Sequence, residues 1–238
     1  RTGNAFSSPG VEGGDTLTIN GNVTGTTIAT GAGNDLITLG TGVSQKISNS
    51  TLNLTDGGND TLTVNAQAAS LTITTGKGST LMDFGGDLSA SNVITGGHDT
   101  LHVHGDIAGN TYINRTGVTA ASQLNLEVDG STKDSYINGT ANSDTVLVHG
   151  DTNYTGYSLG GGNNSLIIEG NAVRSGTNAG SGNDYVHIFG DASGAVQSSS
   201  VYTSMGVLLN DGNNTLDIGG STNMFFYTGG KDADQVHI

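Results

Sequence analysis

The stretch Thr30-Gly-Ala-Gly-Asn-Asp-Leu-Ile-Thr-Leu39 decides the fold of this 238-residue chain, because close copies of it return along the whole sequence. The copies at 159–168 and 179–188 keep the glycine-rich turn, the Asn and the alternating residues that follow. An alternation of apolar residues with a period of two predicts a β-strand with one face buried and one exposed. Tandem copies of a turn and a strand are typical of a solenoid, in which each repeat stacks on its neighbours.

Aligning the copies on the acidic position of the turn gives eleven repeats, each with two apolar residues separated by one residue. All 22 positions of these pairs are apolar, although only 33% of the chain is hydrophobic. The commonest spacing between repeats is 20 residues, and the longer spacings predict loop insertions near residues 41–56 and 193–210. The pairs are Leu17/Ile19, Ile37/Leu39, Leu62/Val64, Met82/Phe84, Leu101/Val103, Leu124/Leu126, Val146/Val148, Leu166/Ile168, Val186/Ile188, Leu216/Ile218 and Val236/Ile238.

A second half-repeat follows each strand and reads G-[N/D]-x-x-G-x-x-U, where U is apolar, as at Gly21–Ile28. Its apolar residues are fewer, which predicts a second, shorter strand facing the first across a thin core. One rung cannot bury its apolar pair alone, whereas rungs stacked about 4.8 Å apart cover it from above and below. We therefore predict an all-β fold, a parallel β-solenoid (β-roll or β-helix) of about eleven rungs. It would form one domain over residues 1–238, with a lead-in at 1–13 and tandem rungs at 14–238.

The charge balance excludes one class of function, nucleic-acid binding. The chain has 7 basic and 21 acidic residues and a net charge of -14, and its basic residues are dispersed, so a nucleic-acid partner is excluded. No apolar run is long enough for a membrane span. Enzymes built on β-helices need a clustered base or a carboxylate pair in a cleft, which the sequence does not show. We predict that the chain is not an enzyme and keep a polysaccharide-binding or polysaccharide-modifying β-helix as an alternative.

The turn resembles the RTX (haemolysin-type) calcium-binding repeat, G-G-x-G-x-D-x-U-x, most closely at Gly31–Ile37 and Gly180–Val186. In that family the turn backbone and the Asp hold Ca²⁺ between stacked rungs. Only one half of each rung carries the motif here, as in the single-sided repeats of large bacterial RTX adhesins. The resemblance implies an extracellular or bacterial cell-surface location and Ca²⁺ at the turn aspartates. These are Asp15, Asp35, Asp60, Asp99, Asp144, Asp184 and Asp234.

The same turns also have an interpretation without metal. Asn and Asp side chains stabilise turns by hydrogen bonds to the backbone. Asn164 and Asn214 replace the Asp in two repeats, and Thr80 and Ser122 occupy its position in two others, which would weaken or interrupt a column of ions. Both interpretations remain open at this point.

The histidines form a second candidate site. Five of the six are predicted on the outward face of the first strand set: His102, His104, His149, His187 and His237. His102 and His104 are two residues apart, which is a suitable spacing for a transition metal. Glu127 and Glu169 could flank His149 from neighbouring rungs. A solvated polar face is the interpretation that the sequence favours.

These observations predict an extracellular structural or adhesive module, namely a stalk, an adhesin segment or a surface-filament subunit. The N-terminal RTGNAFSSPG has neither Met nor an apolar signal core, so we expect a processed product or a piece of a larger protein. The chain ends at the inward residue Ile238, so the expected partners are further rungs of the same or parent chain. A head-to-tail homo-oligomer, forming a filament or surface layer without calcium, is the alternative. The irregular loops would recognise a glycan or surface receptor.

Overall fold

The computed structural model of the chain describes residues 5–7, 13–114, 122–198, 201–203 and 205–238, with side-chain surroundings for 13–114, 122–194 and 205–238. The chain winds into a parallel β-solenoid with a period of about 20 residues, which confirms the predicted fold class. Each rung has three short strands and not two, so three parallel sheets run along the solenoid. In the described residues, no helix is long and apolar enough to cross a membrane.

Sheet 1 contains the first strand of each rung. These strands are the predicted alternating segments, and their inward residues, such as Ile37 and Leu39, are fully buried. All neighbouring strands pair in parallel, and inward residues stack on inward residues. Its eleven strands are Thr16–Ile19, Leu36–Leu39, Thr61–Val64, Leu81–Phe84, His98–Val103, Gln123–Val128, Thr145–Val148, Ser165–Ile168, Tyr185–Ile188, Thr215–Ile218 and Gln235–His237.

Sheet 2 consists of strands of two or three residues and ends at a sharp corner. One residue of the corner takes the left-handed conformation, as Asn49 does at φ 51° and Tyr154 at φ 52°. This corner divides the predicted second strand into two, because the chain turns there into another sheet. The ten strands are Val23–Thr24, Lys46–Ser48, Gln67–Ala69, Leu88–Ser89, Ile107–Ala108, Thr132–Lys133, Thr152–Asn153, Ala172–Val173, Ala192–Ser193 and Thr222–Asn223.

Sheet 3 completes each rung and leads into the glycine-rich turn. Its inward residues, such as Ile28 and Ile73, close the apolar core from the third side. Its eleven strands are Ala5–Ser7, Thr27–Ala29, Thr51–Leu54, Thr72–Thr75, Asn92–Ile94, Tyr112–Ile113, Tyr136–Thr140, Gly156–Gly160, Gly176–Asn178, Met205–Asn210 and Phe225–Gly229.

The two predicted loop insertions differ in structure. In the insertion near 193–210, strand Ala195–Ser198 pairs with Val201–Thr203 as an antiparallel hairpin outside the three sheets. The insertion near 41–56 contains Lys46–Ser48 and Thr51–Leu54, which are regular strands of sheets 2 and 3. Most of the additional residues of that rung therefore lie before Lys46.

The core is a single column of stacked side chains enclosed by the three sheets. Tyr157 is among its largest buried side chains. Its hydroxyl hydrogen-bonds with Thr132 Oγ1 at 2.7 Å and Thr152 Oγ1 at 3.0 Å. Burial raises the pKa of Tyr157 to about 12. A polar atom is thus accommodated inside the column because the neighbouring rung supplies its partner.

The sixth rung is displaced by two residues from the predicted alignment. Leu126 pairs with Leu101, so the inward pair of this rung is Leu126/Val128, and the predicted pair was wrong. Leu124 takes the turn position that the alignment had assigned to Ser122. The corrected register makes the repeat more regular, since Leu101 and its partner are 25 residues apart and the next step is 20.

Close packing of glycines between rungs explains this register. Gly130 stacks on Gly105, and a Cβ on Gly130 would lie only 2.6 Å from the carbonyl oxygen of Gly105 and 2.3 Å from Asp106 Oδ1. Only glycine fits at so close a backbone approach. Asp129-Gly130 must therefore align with His104-Gly105, and this alignment turns Val128 inward.

Candidate functional site

The seven predicted calcium-site aspartates lie in one column at the turn that precedes sheet 1. We call this set the turn column and include the other residues at that position. Asp35, Asp60, Asp99, Asp144 and Asp184 are at most 3% exposed, whereas Asp15 and Asp234 are partly buried. The complete turn column is Asp15, Asp35, Asp60, Thr80, Asp99, Leu124, Asp144, Asn164, Asp184, Asn214 and Asp234.

Side chains of the turn column reach back to the preceding rung. Asp35 Oδ1 accepts a hydrogen bond from the backbone N–H of Asp15 at 2.7 Å, and Asp60 Oδ1 accepts one from Asp35 at 3.0 Å. Asn164 makes the same contact with the N–H of Asp144 at 2.9 Å. An Asn can replace the Asp in this role because only one side-chain oxygen is required.

The Asn that precedes the Asp in the motif reaches in the opposite direction. Asn34 Oδ1 accepts a hydrogen bond from the N–H of Asn59 in the next rung at 2.8 Å. Asn163 and Asn183 repeat this contact with the following rungs at 2.8 and 2.9 Å. The G-N-D turn therefore links three successive rungs through side-chain to backbone hydrogen bonds.

The second carboxylate oxygen divides the turn column into two groups. Asp99 Oδ2 accepts hydrogen bonds from Thr75 Oγ1 at 2.7 Å and Gly96 N at 3.1 Å. Asp144 Oδ2 accepts one from Thr140 N at 2.5 Å. By contrast, the Oδ2 atoms of Asp35 and Asp184 are buried without a hydrogen-bond partner. These two residues belong to the turns that match the RTX motif most closely.

Burial also affects the ionisation of the turn column. Loss of solvent raises the pKa of Asp60, Asp144 and Asp184. For Asp60, the neighbouring carboxylates Asp35 and Asp99 add to this rise. A proton or a bound cation would each relieve a buried negative charge. Calcium binding by the turn column stays a prediction.

A second group of titratable residues lies on the outward face of sheet 1, and we call it the imidazole cluster. Asp83, His102 and Glu127 are successive partners within the sheet. His104, Asp129, His149 and Glu169 each directly follow a strand of sheet 1 and lie beside them. The cluster is thus Asp83, His102, His104, Glu127, Asp129, His149 and Glu169.

Asp129 bridges the two adjacent histidines. Its Oδ1 lies 2.9 Å from His102 Nε2, and its Oδ2 lies 2.7 Å from His104 Nδ1. The other ring nitrogen of His104, Nε2, lies 3.1 Å from Asp83 Oδ1. The hydrogen bond from His102, together with that from His104, lowers the pKa of Asp129. The two imidazole rings are 3.9 Å apart between centroids.

His149 lies between two glutamates, as the sequence predicted. Its Nδ1 is 2.8 Å from Glu169 Oε2, and its Nε2 is 3.2 Å from Glu127 Oε1. These contacts, that with Glu169 first, raise the pKa of His149. His187 is farther from its acidic neighbour, with Nε2 at 3.9 Å from Asp217 Oδ2.

The sequence did not predict the role of Asp129, which contacts both His102 and His104. The displaced register of the sixth rung left it without an assigned neighbour. The signal that identifies it is the glycine after the strand, since His104-Gly105, Asp129-Gly130, His149-Gly150 and Glu169-Gly170 share this pattern. Aligning these glycines places Asp129 between His104 and His149.

The outward face of sheet 3 carries a different surface. The rings of Tyr112 and Tyr136 stack with centroids 5.1 Å apart and planes at 7°. Beside Tyr136 lies a shallow depression of about 230 Å³, floored by Gly156 and Gly176. Polar side chains of Asn138, Ser158 and Asn178 also line it. This surface offers aromatic and amide groups but no ionisable acid or base apart from the phenol.

Comparison with protein-family models, curated proteins and solved structures gives no match to this chain. The likeness to RTX repeats therefore rests on the turn residues alone.

Proposed function

We propose that the chain is a structural module of a secreted or cell-surface protein, a stiff stalk or adhesin segment that holds other parts at a set distance. The single observation that carries the proposal is the continuous register of sheet 1 from Thr16 to His237. Each backbone in this sheet pairs with the rungs on both sides, and the turn column adds side-chain links between rungs. A bend between two rungs would stretch the backbone hydrogen bonds that join them in the three sheets, so we expect the rod to be stiff.

The charge distribution fits a structural role. A net charge of -14 keeps separate rods apart in solution. In the extracellular setting that the proposal assumes, Ca²⁺ would offset the carboxylates of the turn column, with Asp35 and Asp184 as its first ligands. The imidazole cluster lies on an open face. A depression on sheet 2 gathers Lys46, Asp87 and Asp106, but the Oδ1 atoms of both aspartates accept backbone hydrogen bonds that link neighbouring rungs. We therefore favour a structural role over catalysis.

Distance measurement between two labels tests the proposal. The chain has no cysteine, so Thr24→Cys and Asn223→Cys can carry dyes at the two ends of sheet 2. Nine strand spacings separate them, so a stiff rod predicts one narrow distance of about 43 Å before correction for the dye linkers. Deleting residues 146–165, one full rung, should shorten it by about 4.8 Å. A broad distribution, or no shortening, would contradict a stiff spacer.

A second candidate function is glycan binding on sheet 3. The exposed, stacked Tyr136 beside the glycine-floored depression, with Asn138 and Asn178 alongside, supports it. A sugar ring would lie against the tyrosine while the amides take its hydroxyls. Tyr136→Ala should abolish binding on a glycan array, whereas Tyr185→Ala, an exposed tyrosine on sheet 1, should not. Equal binding by both variants would remove this candidate.

A further inference from the structure

The imidazole cluster contains a set of atoms suited to a transition metal. One ligand atom each from Asp83, His102 and His104 lies within 4.8 Å of the other two. In a tetrahedral zinc site with bonds of about 2.0–2.1 Å, ligand atoms lie roughly 3.3 Å apart. The distance of 3.1 Å between His104 Nε2 and Asp83 Oδ1 is already close to this value. Small side-chain rotations would therefore bring the three atoms around one ion.

The strands hold these side chains in place. Asp83 and His102 are direct partners in sheet 1, and their inward neighbours, among them Met82 and Leu101, are fully buried. His104 lies two residues after His102, directly past the end of the same strand. Ligands on packed strands stay close to the binding geometry, so little conformational entropy is lost when an ion binds.

Asp129 supplies the orientation that metal-binding histidines usually need. A ligating His commonly donates its second ring N–H to a carboxylate, which fixes the tautomer. Asp129 Oδ2 lies 2.7 Å from His104 Nδ1, so an Nδ1–H would be donated to Asp129, which leaves Nε2, the ring nitrogen nearest Asp83, available to bind an ion. Asp129 is therefore a positioning residue for His104.

We propose that Asp83, His102 and His104 form a binding site for one divalent transition-metal ion, with Zn²⁺ as the reference ion, on the outward face of the solenoid. Two imidazoles and a carboxylate are a zinc ligand set with a fourth position left for water. The site is distinct from the turn column, because calcium takes oxygen ligands. A neighbouring set of His102, Glu127 and Asp129 has only one imidazole and shares His102, so the two sets hold one ion between them.

His149 provides the matched control. It is a partly exposed histidine on the same face, held between two carboxylates as His104 is, but with no second imidazole among its contacts. If Zn²⁺ bound to any acidic surface that carries a histidine, it would bind at both His104 and His149. A site formed by a specific set of ligands would bind Zn²⁺ only at His104.

Isothermal titration of the folded chain with ZnCl₂, in buffer containing millimolar Ca²⁺, tests the proposal. We expect one Zn²⁺ per chain. His104→Asn and His102→Asn should each weaken binding at least about tenfold, and Asp129→Asn about tenfold, as expected for an orienting carboxylate. His149→Asn should leave the affinity unchanged. No binding by the unaltered chain, or an equal loss in His149→Asn, would overturn the proposal.

Cobalt supplies a readout that does not depend on variants. Co²⁺ in a four-coordinate site of nitrogen and oxygen ligands should produce visible absorption, and one equivalent of Zn²⁺ should remove it. Circular dichroism of each variant checks that the solenoid is intact. A spectrum typical of hexaaqua Co²⁺ throughout the titration would contradict the proposal.

Discussion

The turn column and the imidazole cluster are two rows of acidic residues that follow the same repeat and have opposite surroundings. In the turn column, carboxylates are buried and accept hydrogen bonds from the backbone of the neighbouring rung. In the imidazole cluster, carboxylates are partly exposed and contact histidine side chains. The residue type alone therefore does not decide the role of an Asp in this solenoid. The direction in which its strand position faces decides it.

The largest expected effect is on stability, from Asp144→Ala. This change leaves the buried N–H groups of Leu124 and Thr140 without an acceptor, each costing about 1–3 kcal/mol. Asp129→Ala, the matched change in the imidazole cluster, should cost about 1 kcal/mol or less, because Asp129 is 39% exposed. Urea denaturation measures the free energy of unfolding of both variants. Equal losses of stability would show that the two rows of carboxylates support the fold to the same extent.

Calcium should act on the turn column alone. Millimolar Ca²⁺, relative to EGTA, is expected to raise the thermal unfolding midpoint of the chain, because the ion would satisfy the unpartnered oxygens of Asp35 and Asp184. The double change Asp35→Asn and Asp184→Asn should abolish this rise. If the midpoint is the same in both buffers, the turn column is a metal-free brace and the calcium prediction is wrong.

In EGTA, Asp184→Asn should have a smaller effect on the free energy of unfolding. It should stabilise the chain, whereas Asp144→Ala should destabilise it. Asn keeps the oxygen that accepts from Asn164 N and removes a buried charge with an unpartnered oxygen. We expect the free energy of unfolding to rise by about 1 kcal/mol at pH 7. Asp144→Asn is the control and should be destabilising, since both of its carboxylate oxygens accept hydrogen bonds. Destabilisation by both variants would show that the charge of Asp184 is compensated.

The smallest expected effect is the change of the free energy of unfolding with pH. A group with a pKa higher in the folded than in the unfolded chain contributes stability at low pH, which is lost as pH rises through the folded value. Asp60, Asp144 and Asp184 act in this way above their ordinary pKa of 3.8, and His149 does so above 6.5.

Urea denaturation at several pH values should therefore show the free energy of unfolding falling as pH rises above 3.8, through the aspartates, and again above 6.5, through His149. Asp184→Asn should flatten only the first part of this fall, and His149→Asn only the second part. Asp129 has a lowered pKa, so its contribution is lost only when pH falls below about 3.8. A free energy of unfolding that rises with pH above 3.8 would contradict the assignment.

Much of the fold follows from the sequence, because strand alternation and the 20-residue repeat are both local patterns. The same alternation correctly predicted the outward histidines and the contact of His149 with Glu127 and Glu169. The third strand of each rung was missed, since the corner that creates it accepts residues as different as Asn49, Tyr154 and Arg174 and leaves no common signal.

The position of Asp129 could not be obtained from alternation. Leu124, Leu126 and Val128 permit two registers, and both bury two apolar residues. The choice depends on the contact between Gly130 and Gly105, which belong to different rungs.

The amino-acid sequence was sufficient to predict a parallel solenoid, its tandem repeats and the face of sheet 1 on which each side chain lies. These properties depend on a period of two along one strand and on tandem repetition. Only the tertiary structure decided which carboxylates support the backbone and which face an imidazole. The cause is that the carboxylates of Asp35, Asp60, Asp129 and Glu169 have partners 20 or 25 residues away along the chain, and stacking of the rungs brings each pair within hydrogen-bond distance.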